Sequence, residues 1–75
     1  MKAKSKTKTA IRKKPEELYE CEKGKEIILV FDYGEVYSGF FQELNDDEII
    51  LKSTESEDMI GLPYNRLRGF LERLT

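Results

Sequence analysis

The chain has 75 residues, a formal net charge of −2, one cysteine and no histidine. That length allows one small domain near the lower limit for folding alone. Cys21 by itself supports neither a disulfide framework nor a structural zinc site, so no metal or other cofactor is expected. No apolar run reaches membrane-spanning length, and the basic start lacks the apolar segment of a secretory signal, so a cytoplasmic protein without a membrane partner is expected.

The net charge hides a division. Residues 1–14 carry Lys2, Lys4, Lys6, Lys8, Arg12, Lys13 and Lys14 and no acid, a charge of +7. Residues 15–75 carry the other six basic residues and all fifteen acidic ones, a charge of −9. The first segment has Met1 and Ile11 as its only large apolar residues and reads as a disordered basic arm, with residues 15–75 as the folded domain. The arm's expected role is electrostatic attraction of a polyanion.

Pro15 opens the domain with Glu16 and Glu17 beside it, a helix-start pattern because carboxylates favour the positive end of the helix dipole. Leu18 and Cys21 form a narrow apolar stripe, and Gly24 ends the segment, predicting a helix of two turns at residues 15–23. From Glu26 the period changes to two. "EIILVFDY" is a first strand, Asp32-Tyr33-Gly34-Glu35 a turn, and "VYSGFFQEL" a second strand. The acidic corner Asn45-Asp46-Asp47-Glu48 turns the chain into a third strand, "EIILKS". A polar loop, "STESED", separates this from a fourth strand, "MIGLP". A short turn, "PYNR", leads to a fifth segment, "LRGFLERL", whose apolar spacing also fits a helix but which Pro63 and Gly69 favour as a strand. Five short strands describe a small antiparallel barrel. Val36 and Phe41 are candidate core residues of opposite parity in strand two, so a bend or bulge at Gly39 is expected.

These residues carry a family resemblance. Gly34, Val36, Gly39, Phe41 and Leu44, followed by Ile49, Ile50, Leu51 and Lys52, resemble the Sm-like fold, especially its bacterial branch, the Hfq RNA chaperones. The resemblance covers residues 15–72. It implies a mostly β fold: a five-stranded antiparallel SH3-like barrel with a short N-terminal helix. It also implies RNA as ligand and a homo-oligomeric ring joined through edge strands. The family's base-binding loop corresponds to Asn45, Asp46 and Asp47, where a carboxylate replaces the stacking aromatic of the bacterial branch. Arg68-Gly69 is similar to the Arg-Gly pair of archaeal and eukaryotic Sm proteins.

Candidate RNA-contacting residues are therefore Tyr64, Asn65, Arg66 and Arg68, a phenol, an amide and two guanidinium groups suited to stacking on and hydrogen-bonding unpaired bases. Lys52 and Asn45 complete the set. Tyr33, Tyr37 and Phe40 carry enough aromatic surface to suggest a subunit contact. Without a histidine, a nucleophile–base pair or a phosphate-cradling glycine loop, no catalytic residue and no small-molecule substrate is expected. The alternative is a protein-interaction or structural module that binds no nucleic acid. The two readings differ in whether Arg66, Arg68 and Lys52 gather on one face.

Overall fold

A computed structural model describes residues 10–73 of the chain. The fold is mostly β. Six antiparallel strands, β1 (Ala10–Lys13), β2 (Glu26–Phe31), β3 (Val36–Asn45), β4 (Glu48–Lys52), β5 (Met59–Pro63) and β6 (Leu67–Arg73), form one sheet. Their order is β1-β6-β2-β3-β4-β5, so β2 to β5 is a meander and β6 returns to lie beside β2. Among the described residues the sheet does not close: β1 and β5 are its two edges.

The alternation that marks β2 in the sequence is its burial pattern. Ile27, Leu29 and Phe31 are fully buried, and Glu26, Ile28 and Val30 face outward. Their core partners are Phe41, Ile49 and Leu51 from β3 and β4, with Leu67 and Phe70 from β6. Burying such side chains contributes about 1.5–3 kcal/mol each before ordering costs. The turn at residues 32–35 forms as the sequence predicts. Gly34 takes φ +88, its N–H donates to the Phe31 carbonyl at 3.0 Å, and the Phe31 N–H donates to the Glu35 carbonyl at 2.9 Å. Only glycine adopts that φ without steric cost. The acidic corner is a two-residue turn, with Asn45 opposite Glu48 and Asp46 at φ 52. Asp is one of the few side-chain-bearing residues that tolerate this region.

Four sequence expectations are corrected. First, residues 10–13 are not part of a disordered arm: β1 pairs with β6, Ala10 opposite Arg73 and Lys13 opposite Phe70, so the sheet has six strands. Residues 1–9, with Lys2, Lys4, Lys6 and Lys8, lie outside the described residues. Second, the segment at Pro15 is a 3-10 helix ending at Glu20, not two α-helical turns. Its backbone closes bonds three residues apart, the Glu17 N–H donating to the Lys14 carbonyl at 3.0 Å and the Cys21 N–H to the Leu18 carbonyl at 3.1 Å; the Lys14 N–H donates to the Glu17 carboxylate at 2.9 Å, and Cys21 is already extended. Leu18 is its single buried residue and plugs the core. Third, Val36 is not in the core. It lies on the outer face, opposite Val30, with 58% of its surface exposed. Fourth, the β3 irregularity falls between Phe41 and Glu43, not at Gly39. That shift lets Phe41 and Leu44, of opposite parity, both face the core strand β4, opposite Leu51 and Ile49. Gly39 is needed for a different reason. A Cβ there would stand 2.7 Å from the Lys52 backbone oxygen and 3.3 Å from the Leu51 Cβ.

Candidate nucleic-acid interface

The sheet distributes the candidate residues unevenly. Arg66 closes the 3-10 turn Tyr64–Arg66 that links β5 to β6. The Asp32 N–H donates to the Arg66 carbonyl at 2.9 Å, which locks this turn to the turn after β2. The Arg66 guanidinium then lies 3.8 Å from the Asp32 carboxylate and 5.9 Å from the centre of the Tyr33 ring. Both partners are about half exposed, so the pair is screened and contributes at most about 1 kcal/mol. Tyr33 itself remains 48% exposed and tilts against Phe31 at 5.8 Å.

Arg68 stands near the start of β6, next to this cluster. It lines a depression of about 540 Å³ together with Arg12, Val30, Asp32, Gly34 and Gly69. The absence of a side chain at Gly69 keeps the floor open, and a Cβ there would come within 3.0 Å of the Lys13 carbonyl. Among the described residues, neither Arg12 nor Arg68 enters an ion pair, whereas Lys13, Lys52, Arg66 and Arg73 each do. Two arginines that join no ion pair among the described residues therefore line one concavity, beside the Asp32 carboxylate that pairs with Arg66. That arrangement suits an oxyanion such as a phosphate group, two of whose oxygens a planar guanidinium can bind through paired N–H donors.

The other candidates lie elsewhere. Lys52 is on β4, separated from β6 by β2 and β3, and pairs with Glu57 at 3.4 Å. Lys52 therefore stands apart from Arg66 and Arg68, the scatter that the interaction-module reading predicts. Asn45 lies at the acidic corner with Asp46, Asp47 and Glu48, where a phosphate backbone would be repelled. Tyr64 packs edge-on against Tyr19 with ring centres 5.5 Å apart, and burial raises its phenol pKa. It covers an end of the core instead of offering a ring to a base. Asn65 is exposed beside Arg66. Lys13 belongs to the sheet: its ammonium reaches Glu72 at 2.9 Å, and that hydrogen bond raises its pKa.

Of the aromatic trio, Tyr37 faces the core. Its ring meets Phe31 edge-on at 5.7 Å and its hydroxyl donates to the Glu35 carboxylate at 2.6 Å. Phe40 is half-buried on the outer face, opposite Glu26 and Lys52. Tyr33 alone remains available, beside Arg66. The sequence reading missed the partnership of Arg12 with Arg68, because it placed Arg12 in a detached arm. Cys21 is partly buried against the core, and burial pushes its thiol up to about 11, so it is not a poised nucleophile.

Among the described residues no group of acids or thiols is arranged to hold a metal ion, and no helix is long and apolar enough to cross a membrane. No family model, curated protein or solved structure matches the chain.

Proposed function

We propose that the chain is an Sm-like, non-enzymatic RNA-binding protein that works as a homo-oligomeric ring. Strands β2 to β6 would make the five-stranded SH3-like barrel, with β1 added at its edge. The observation that carries the binding reading is the depression lined by Arg12 and Arg68, which join no ion pair among the described residues, beside the exposed Tyr33 ring and Arg66. Arg68 and Arg12 would take phosphate oxygens. Tyr33 would offer a stacking surface for an unpaired base. The barrel reading draws support from the return of β6 to β2, from the register shift that re-aims β3, and from the close approach at Gly39.

A second reading has an observation of its own. Arg66, Lys52 and Arg73 are each engaged by a carboxylate within the body, leaving its surface mainly acidic. That favours an interaction module for a basic protein partner.

Binding of fluorescent A-rich, U-rich and mixed RNAs to the full chain across a salt series separates the two. Arg68→Glu is expected to weaken binding at least tenfold at low salt. It should also flatten the dependence of log K on log salt by roughly 0.7 for each phosphate no longer neutralised. Binding that survives Arg68→Glu with the same affinity and slope would move the site away from the depression. No binding of any RNA by the intact chain would leave the interaction module standing.

A further inference from the structure

A bulge sets Arg68 apart. Where β2 pairs with β6, Val30 lies opposite Gly69 and Phe31 opposite Leu67, so Arg68 has no partner of its own on β2. An extra residue of this kind bends its strand and re-aims a side chain. Arg12 reaches the same depression from the neighbouring strand, where it stands opposite Leu71. Val30 and Leu71, both partly buried, give the depression apolar walls. Asp32 is the one carboxylate among the lining residues, and the Arg66 guanidinium stands 3.8 Å from it.

Two properties decide which phosphate suits this site. The first is charge. Arg12 and Arg68 bring two positive charges, while Asp32 is offset by Arg66. A phosphodiester inside a strand carries a single negative charge. A phosphate monoester carries about −1.5 to −2 at pH 7 and presents three acceptor oxygens, enough to engage two guanidinium groups at once.

The second is the surroundings. Residues 15–75 carry a charge of −9. Lys13, Lys52, Arg66 and Arg73 are each engaged by a carboxylate. A strand laid lengthwise over this body would set successive phosphates against carboxylates. A strand that enters end-on makes its favourable contact in the depression and leaves its other phosphates in solvent.

We infer that the depression selects a phosphate monoester, carried by the end of an RNA strand, over the phosphodiesters within it. The inference rests on the RNA-binding reading above and specifies which phosphate that site takes. Tyr33, 48% exposed and next in sequence to the lining residues Asp32 and Gly34, offers the terminal base a stacking surface.

Fluorescence anisotropy of the full chain with three forms of one RNA oligonucleotide tests this: 5′-phosphorylated, 3′-phosphorylated and unphosphorylated, each labelled at an internal base. At about pH 7.5 one phosphorylated form should bind about tenfold tighter than the unphosphorylated form, the scale of an added charge-assisted hydrogen bond. That advantage should shrink at about pH 5.5, because the monoester, with a second pKa of about 6, loses its second charge there. Arg12→Gln and Arg68→Gln, both at exposed positions, should each remove most of the advantage; far-UV circular dichroism verifies folding, and either variant alone suffices if the other fails to fold. Equal binding of all three forms would overturn the end selection while the RNA-binding reading stands. An advantage that persists in both variants would place the selecting site outside the depression and overturn the inference. A free nucleoside monophosphate that displaces the phosphorylated strand as effectively as unlabelled strand does would assign the depression to a mononucleotide and overturn the strand-end form. No binding of any of the three overturns the RNA-binding reading and this inference together.

Discussion

Replacing Gly39 by alanine is the sharpest test of the packing between β3 and β4. The added Cβ would sit 2.7 Å from the Lys52 carbonyl oxygen and 3.3 Å from the Leu51 Cβ. The first contact is with backbone, so no side-chain rotation relieves it. β3 and β4 must move apart by several tenths of an ångström, and the buried pair Phe41 and Leu51 lies next to the opening. Overpacking of this kind costs about 1–3 kcal/mol. Alanine also restricts the unfolded chain, which offsets about 0.4–1 kcal/mol. The net expectation is a loss of about 1–2 kcal/mol. In a domain of this size each kcal/mol lowers the melting temperature by about 4–8 °C. Thermal denaturation at fixed protein concentration should thus show a midpoint lower by about 4–16 °C. Gly39→Val should cost more, since the branched side chain adds contacts with the same carbonyl. An unchanged or raised midpoint for Gly39→Ala would refute the close approach of the two strands.

Leu18→Ala should cost about 2–5 kcal/mol, because Leu18 is fully buried and is the one core side chain of its 3-10 helix; chemical denaturation reads this, and a cost below about 1 kcal/mol would detach that helix from the core. Cys21 should react slowly with a disulfide reagent at pH 8, since a thiol at about 11 instead of 9.0 holds about a hundredfold less thiolate. The same shift has a sign for stability: folding tolerates the neutral thiol, so its contribution is intact below pH 9 and declines as pH rises toward about 11. A Cys21→Ser variant should lose that alkaline component of the stability profile. Glu72→Gln removes the ion pair with Lys13 and should speed amide exchange at Ala10–Lys13 more than at β2, by a few-fold at most because such pairs are weak.

Much of the sheet was readable from period and turn chemistry. The alternation of β2, the turn at Gly34, the acidic corner and the strand character of residues 67–73 all follow from local rules, and each is found. β1 was not readable. "AIRK" has no alternation and one large apolar residue, and it becomes a strand only because β6 leaves an edge for it. The parity of Val36 and Phe41 misled for a related reason. Two faces of this sheet are partly apolar, so an apolar residue does not reveal its side, and only the pairing with Val30 shows that Val36 faces out. The site suffered from the same nonlocality. Arg12 and Arg68 line one depression through the pairing of β1 with β6, which no spacing along the chain encodes. Tyr64 looked available because its packing partner, Tyr19, comes from a distant segment.

The pairing of Ala10 with Arg73 also sets an order of events during synthesis. β1 precedes β2 to β5 in the chain, yet its partner β6 follows all of them. The meander β2 to β5 joins neighbours in sequence and can assemble as it emerges. β6 must then return to β2 before β1 has anywhere to dock. Throughout that interval the basic segment is unattached while the acidic meander accumulates beside it. A delay in the return of β6 would postpone the docking of β1 without altering the stability of the finished fold.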